Sequence, residues 1–498
     1  MIITEDNLLK LKSGTDIRGV AVQTECEEVE LTDEVVEKIC IAFIIWLRRK
    51  ENKDDIKIAV GHDSRISADR IMACAIKAFT MQGATVYDCG LASTPSMFMT
   101  IVMDIKADAS LEITASHHPY QRNGLKFFTK NGGLEGAEVK EILKLAYLAE
   151  LGNEKGKVIP YNFMDKYCKH LRDTIIKEVE SGDKPLKGLK ISVDAGNGVG
   201  GFYATWVLEP LGADVSGSQF LEPDGNFPNH IPNPENKEAI ASACKMVLDS
   251  KSDFGLIFDT DVDRMGCVSA NGEEINRNRL VALASVIALD GNEGGTVVTD
   301  SLTSDGLREF IENKLGGKQL RFKRGYKNVI DKSIELNNCG INSPLAIETS
   351  GHAALKENYF LDDGAYLATK IVILLAKLHK QGKRVDDLIS TLKEPAESVE
   401  IRIPIMMNDF TAYGESVISS LTEYAESRDG WEVEQENYEG VRINVKGGWF
   451  LLRLSVHDPI LPLNIENDET GICKGIANEL KEFLSSFDKL NLENFEKV

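Results

Sequence analysis

The reading of the fold turns on Ala109-Ser110-Leu111-Glu112-Ile113-Thr114-Ala115-Ser116-His117-His118-Pro119 and on the Asn123-Gly124-Leu125-Lys126 that follows it. Leu111 and Ile113 alternate with their neighbours, as one face of a strand does, and predict a strand running to Thr114. A proline and then an Asn-Gly pair end that alternation, so Ser116 is predicted on a loop beyond a strand end. A hydroxyl beside two imidazoles and ahead of a lysine has the parts for group transfer. Serine is a poor nucleophile at its ordinary pKa and needs a base or a group already attached to it. An exposed polar turn has the same composition, so the assignment depends on the company this stretch keeps.

Composition narrows the company. A chain of 498 residues is too long for one core and predicts three or four domains. Its longest apolar run, Ile39 to Leu47, stops at Arg48-Arg49-Lys50, far short of a membrane span, and predicts a buried helix. The first residues show neither a basic start nor an apolar core, so no secretory signal is expected. Nine cysteines stand singly with no C-x-x-C pair, which fits a reducing compartment and a cytoplasmic location. A net charge of −21 argues against nucleic acid and against an anionic membrane surface as partners. A phosphorylated substrate would then require positive charge gathered locally.

Such charge recurs along the chain. Ser13-Gly14-Thr15-Asp16-Ile17-Arg18-Gly19 can bring backbone N–H groups and a guanidinium to an anion. Ile56 to Val60 predicts a strand leading into Gly61-His62-Asp63-Ser64-Arg65, with a helix starting near Ser67; Asp63 and Arg65 read equally well as a surface ion pair. Val139, Ile142, Leu143 and Ala146 have helical spacing, and the polar Gly152 to Lys157 predicts a linker. After a strand at Leu189 to Val193, Gly196, Gly198 and Gly201 satisfy G-x-G-x-x-G, which alone is too short to establish a dinucleotide site.

The apolar Phe254 to Phe258 runs into Asp259-Thr260-Asp261-Val262-Asp263-Arg264. In an extended chain residues two apart face one way, so three carboxylates are predicted to converge. They repel one another unless a cation sits among them, and an all-oxygen set points to Mg²⁺ before Zn²⁺; an acidic surface turn is the alternative. Lys323-Arg324-Gly325-Tyr326-Lys327 is a basic turn. Glu348-Thr349-Ser350-Gly351-His352, after the apolar Leu345 to Ile347, supplies a carboxylate, a hydroxyl and an imidazole suited to sugar hydroxyls. Beyond a polar join at Lys393 to Glu397, a last unit carries Arg453-Leu454-Ser455-Val456-His457-Asp458-Pro459.

In this order the motifs resemble those of the α-D-phosphohexomutases, the family of phosphoglucomutases and phosphomannomutases. The resemblance to T-A-S-H-N-P and N-G-x-K implies that Ser116 carries a phosphoryl group and that Lys126, with His117, moves the proton; His118 stands where the family has Asn. The opening F-G-T-x-G-I-R-G implies that Arg18 faces the phosphoserine, although Ser13 replaces the Phe and one Gly is missing. D-x-D-x-D-R implies Asp259, Asp261 and Asp263 as ligands of Mg²⁺, completed by an oxygen on Ser116, and Arg264 as a substrate contact. V-G-x-K, with Arg324 for Val, implies Lys327 on the substrate; E-x-S-G-H implies Glu348, Ser350 and His352. In R-P-S-G-T-E-P-x-x-R, gripping the distal phosphate, Arg453, Ser455 and Pro459 match, while Val456, His457, Asp458 and Pro462 depart.

The resemblance implies an α/β protein of four domains around a central cleft, three αβ domains and a smaller α+β one, at residues 1–153, 154–292, 293–395 and 396–498. It implies interconversion of hexose 1-phosphate and hexose 6-phosphate, of glucose or mannose, through a phosphoserine and a bisphosphorylated intermediate, with hexose 1,6-bisphosphate as activator. A phosphoglucosamine mutase, a metal-dependent sugar phosphatase using Asp259 as nucleophile, and a non-catalytic sugar-phosphate binding protein are the alternatives.

Overall fold

The computed structural model describes residues 2–153, 155–455 and 458–497; Val456 and His457, two of the departures in the last motif, lie outside the described residues. The chain forms two compact units. One holds Met1–Asn276 with Ser350–Ala354 and Leu361–Asp387; the other holds Arg277–Thr349 with Leu355–Phe360 and Leu388–Val498.

The first unit is built on two sheets. The larger has eight strands, in the order Lys12–Ser13, Asp16–Val20, Arg122–Thr129, Ala109–Ile113, Lys57–His62, Thr85–Leu91 and Lys157–Pro160, with Gly132–Gly133 pairing beside Arg122–Thr129. Its centre is parallel, and the strands Asp16–Val20 and Arg122–Thr129 add an antiparallel edge. The apolar run Ile39 to Leu47 lies in the helix Asp33–Glu51, as predicted. Thr32 caps it by accepting from the Val35 N–H, and Asn52 ends it in the left-handed region. This helix, Ala68–Met81 and Gly136–Leu148 pack Ile39, Phe43, Phe79 and Leu143 against Ile58, Leu111 and Phe127 of the sheet. The first sheet does not stop at residue 153, where the sequence reading ends its first domain. Lys157–Pro160 continues it, in parallel register with Thr85–Leu91, because an edge of unpaired backbone groups is there to accept a strand.

The second sheet runs Glu274–Ile275, Met265–Ser269, Phe254–Phe258, Ile191–Asp194. The helix Gly364–His379 lies in the segment 293–395 that the sequence reading takes as one domain, yet it packs in this unit. Its N-cap Asp363 accepts from the Tyr167 hydroxyl at 2.6 Å, Thr369 bonds Tyr203, and Lys370 pairs with Glu178. Twelve of its sixteen residues are buried, so it needs apolar neighbours along most of its surface.

In the second unit the strands Lys318–Arg321, Thr296–Thr299 and Leu345–Ile347 lie parallel side by side. A five-stranded antiparallel sheet follows, Glu397–Pro404, Ile460–Asn467, Gly448–Leu452, Val441–Val445 and Glu432–Val433. Alternation puts Ile401, Ile403, Leu463 and Ile465 on one face, which the helices Phe410–Glu426 and Ile472–Leu484 cover. This is the α+β arrangement expected of the C-terminal region.

Candidate active site

The loop after Ala109–Ile113 holds Ser116 in the left-handed region at φ 49°. That conformation costs an L-residue about 1–2 kcal/mol and persists only where surroundings impose it. Here a buried arginine imposes it. Arg65 donates through Nη2 to the carbonyl oxygens of Ser116 and His118, and through Nη1 to those of Pro119 at 2.8 Å and Arg122 at 2.9 Å. Its Nε donates to Asp63 at 3.2 Å, and both side chains are fully buried. The surface ion pair is therefore corrected: these residues form an internal brace. From the other side Thr114 Oγ1 accepts from the Ser116 N–H. Gly124 lies opposite Arg18 in the adjoining strand, and a Cβ there would meet the carbonyl oxygens of Ile17 and Thr114 at 2.6 Å, so the strand pairing requires glycine.

Ser116 Oγ donates to Asp259 Oδ2 at 3.0 Å and accepts from Arg264 Nη2 at 3.0 Å. Arg264 also donates to Asp259 through its main-chain N–H and Nε, and to His117 Nδ1 at 2.6 Å. The structure thus brings Arg264 onto the serine hydroxyl. His117 Nδ1 lies 3.3 Å from Ser116 Oγ, but its lone pair faces the nearer guanidinium, which leaves the ring proton on Nε2. Burial, then Arg264, His118 and Arg18, hold the His117 pKa down to about 2. His118, stacked 5.3 Å from it, is held down to about 4 by burial and by Arg18 and Arg65. With its one Nδ1 lone pair facing Arg264, the ring has none left there for the Ser116 proton. Arg18 donates to Asp16 at 3.0 Å, and its Nε is buried without a hydrogen-bond partner among the described residues.

The three aspartates converge, though not by strand alternation. Residues 259–263 form a turn between Phe254–Phe258 and Met265–Ser269, with Val262 in the left-handed region at φ 66°. Ligand atoms of Asp259, Asp261 and Asp263 all lie within 4.8 Å of one another. Thr94 Oγ1 donates to Asp261 Oδ2 at 2.5 Å, and Lys126 Nζ to Asp263 Oδ2 at 2.7 Å. Asp261 Oδ1 and Asp263 Oδ1 are buried with no hydrogen-bond partner among the described residues. Burial and mutual repulsion raise the pKa of Asp259 and of Asp261. Burial raises Asp263 too, but Lys126, His352 and Arg264 outweigh it and hold it low. Mutually repelling carboxylates, two of whose buried oxygens lack a hydrogen bond among the described residues, are a donor set that a hard cation fits.

Ser350 and His352 lie in this same unit. The strand partner of Arg264 is His352, and the Met265 N–H donates to the carbonyl of Gly351, whose φ of 95° suits glycine alone. His352 Nδ1 is 2.5 Å from Asp362 Oδ2 and 3.9 Å from Asp263 Oδ1. Burial lowers its pKa, but Asp362 and Asp263 win and raise it to about 9.

Glu348, Lys327, Arg453 and Ser455 belong to the second unit. Glu348 is buried and accepts from the Gly325 N–H at 2.6 Å. Lys327 sits in the first turn of the helix Tyr326–Asn338, 3.0 Å from Asp331. Arg453 and Ser455 follow the strand Gly448–Leu452, where Ser455 Oγ accepts from the Asp458 N–H.

The roles of four residues escape the sequence reading. Arg65 and Asp63 stood in a visible motif, but their burial had no local signal. Thr94 had none. Glu112 did have one, a carboxylate inside an apolar strand. It is fully buried opposite Lys126 in the sheet, neither oxygen has a hydrogen-bond partner among the described residues, and burial followed by Asp63 and Asp261 raises its pKa well above the usual range.

Comparison with known proteins bears on this geometry. Residues 10–150, 165–272 and 276–395 match the three family patterns described as phosphoglucomutase/phosphomannomutase, alpha/beta/alpha domains I, II and III. The chain is 30% identical to a "Phosphomannomutase/phosphoglucomutase" of Pseudomonas syringae pv. tomato, over 89% of this chain and 92% of that one. It is 29% identical to a "Phosphoglucomutase" of Neisseria gonorrhoeae, over 95% and 96%. A crystal structure of a phosphoglucomutase/phosphomannomutase family protein from Burkholderia thailandensis superposes with a TM-score of 0.80 at 26% identity, covering 97% of this chain and 98% of that one.

Proposed function

Since the chain belongs to the phosphoglucomutase/phosphomannomutase family and is a phosphohexomutase, we propose that Ser116 is its phosphoryl carrier in exchanging hexose 1-phosphate for hexose 6-phosphate. The observation that carries this reading is the serine hydroxyl held between Asp259 and Arg264 at 3.0 Å each, on a loop fixed by Arg65. Phosphorylated Ser116 gives its phosphoryl group to the free oxygen of the sugar phosphate. The bisphosphate then returns its other phosphoryl group to Ser116, so that no phosphate is released. Glucose and mannose phosphates are the proposed substrates, and hexose 1,6-bisphosphate the activator that restores a dephosphorylated serine.

Arg264 and Arg18 supply charge for the equatorial oxygens, where most of the catalysis of phosphoryl transfer lies. Lys126 is the proposed proton donor and acceptor at the sugar oxygen. Asp259, Asp261 and Asp263 would hold Mg²⁺, which when bound supplies Lewis-acid stabilisation of phosphoryl charge. Protonated His352 adds a cation beside Asp263. Glu348, Ser350 and Lys327 are proposed to contact the sugar phosphate, and Arg453 with Ser455 the phosphate that does not react. Asp259 is already engaged by Ser116 and Arg264, which disfavours it as the nucleophile of a phosphatase.

No helix among the described residues is long and apolar enough to cross a membrane. All nine cysteines are free thiols, which supports the cytoplasmic setting proposed for the enzyme.

The test is conversion of glucose 1-phosphate and mannose 1-phosphate to their 6-phosphates, with Mg²⁺ and a trace of the 1,6-bisphosphate, while free phosphate is monitored. Isomerisation is expected in the wild type and absent in Ser116→Ala. Phosphate release that persists in Ser116→Ala and stops in Asp259→Asn would overturn the assignment of the carrier.

A further inference from the structure

In the second unit one carboxylate touches three loops. Glu439 lies between the strands Glu432–Val433 and Val441–Val445, and its side chain is 13% exposed. Its Oε2 accepts from Ser301 Oγ at 2.6 Å and from the main-chain N–H of Arg324 at 3.1 Å. Its Oε1 lies 3.8 Å from Nη1 of Arg453. Ser301 follows the strand Thr296–Thr299, Arg324 precedes the helix Tyr326–Asn338, and Arg453 follows the strand Gly448–Leu452. The next main-chain donor, Gly325 N–H, goes to Glu348. Two successive amides of one turn therefore end on two carboxylates, one from each sheet of this unit.

Arg453 is the unusual member. Its side chain is 12% exposed, and its Nε is buried with no hydrogen-bond partner among the described residues. A separation of 3.8 Å from Glu439 is an ion pair but is too long for a hydrogen bond. The other charges acting on the guanidinium are Arg324, Glu400 and Asp300. It is oriented and partly neutralised by Glu439, yet retains donors that a phosphate oxygen can take.

We propose that Glu439 is a positioning residue of the distal phosphate site, holding the Arg453 guanidinium, the Arg324–Gly325 turn and the Ser301 loop in one frame. This rests on the assignment of Arg453 to phosphate made above. A glutamine at 439 keeps an acceptor for Ser301 and Arg324 but loses the charge on Arg453; an alanine loses both. Positioning therefore predicts a graded effect on substrate affinity that depends on Arg453.

The experiment measures KM and kcat for glucose 1-phosphate, and competitive inhibition by inorganic phosphate, in the full-length enzyme. Glu439→Ala is expected to raise KM about tenfold, Glu439→Gln about threefold, with kcat changed less than KM. In an Arg453→Ala background neither substitution should raise KM further, because the group they position is gone. If Arg453→Ala itself leaves KM unchanged, the phosphate assignment fails. If Arg453→Ala raises KM while both Glu439 variants match the wild type, or while they add their full factor in the double variants, the positioning role fails. Should Glu439→Ala not fold, the near-isosteric Glu439→Gln alone and with Arg453→Ala decides the matter by the same criterion.

Discussion

Arg65 fixes Ser116 by its main chain: Nη2 donates to the Ser116 carbonyl oxygen, which leaves the hydroxyl to Asp259 and Arg264. The same guanidinium reaches the carbonyls of His118, Pro119 and Arg122. One planar fork thus sets the conformation of a whole loop, a task a lysine ammonium cannot repeat.

Arg65→Lys is therefore expected to leave several buried carbonyls without a donor, each at a cost of about 1–3 kcal/mol. The urea midpoint should fall, and turnover should drop by about a hundredfold as the hydroxyl drifts from Asp259. Denaturation curves and steady-state rates on one preparation check both; an unchanged rate in a folded Arg65→Lys would refute the brace.

Asp261→Asn removes one of three buried like charges. A carboxyl whose folded pKa is raised above its unfolded value costs stability at neutral pH, so the variant is expected to be more stable than the wild type in EDTA. With Mg²⁺ the order should invert. The wild type gains about 2.7 kcal/mol at a hundred times Kd, and the variant gains less. Thermal unfolding with and without Mg²⁺ reads both.

Burial, followed by Asp63 and Asp261, raises the pKa of Glu112 well above the usual carboxylate range in the folded protein. The unfolded state ionises near the ordinary value, so the wild type loses stability as pH rises past about 4.5 toward the raised folded pKa. Glu112→Gln cannot ionise. The variant's urea midpoint, relative to the wild type's, should move upward steadily between pH 4 and pH 7; a constant difference would count against a buried neutral acid.

His352 titrates near 9 in the folded protein, above its unfolded value near 6.5, because of Asp362 and Asp263. Its contribution to stability is complete below about pH 6.5 and is lost as pH rises through about 9. Urea midpoints in EDTA should decline over that window in the wild type and decline less in His352→Gln.

His117 accepts from Arg264 and stays neutral across the working range, with its pKa near 2. His117→Gln, which retains an acceptor, is expected to cost less than about tenfold in kcat and to leave the pH–rate profile between pH 5 and 8 unchanged. Loss of an acid limb in that variant would return His117 to proton transfer.

Much of this site is legible in the sequence alone. Periodicity found the strands beside Ser116 and the helix over Ile39 to Leu47, because a half-buried strand and a buried helix write different spacings into the chain. The D-x-D-x-D spacing picks out three carboxylates that do converge, but not for the reason alternation gives. The turn at Val262, rather than alternation, aims them together, and left-handed valine has no sequence signature. Asp63 and Arg65 were visible as residues but not as a brace, since burial is a property of what folds over them.

The sequence by itself determined the order of the motifs, the residue types each site would need, and the succession of α/β segments ending in an α+β one. These follow from local spacing and from chemistry that resides in single side chains. Only the tertiary structure decided that Arg264 meets the Ser116 hydroxyl, that His117 is occupied by that arginine, that Gly364–His379 packs beside Phe163–Val179, and that Glu439 reaches Arg453. All but the last join residues far apart in the chain, and their proximity is set by the closing of sheets and the burial of apolar faces, which no local pattern encodes.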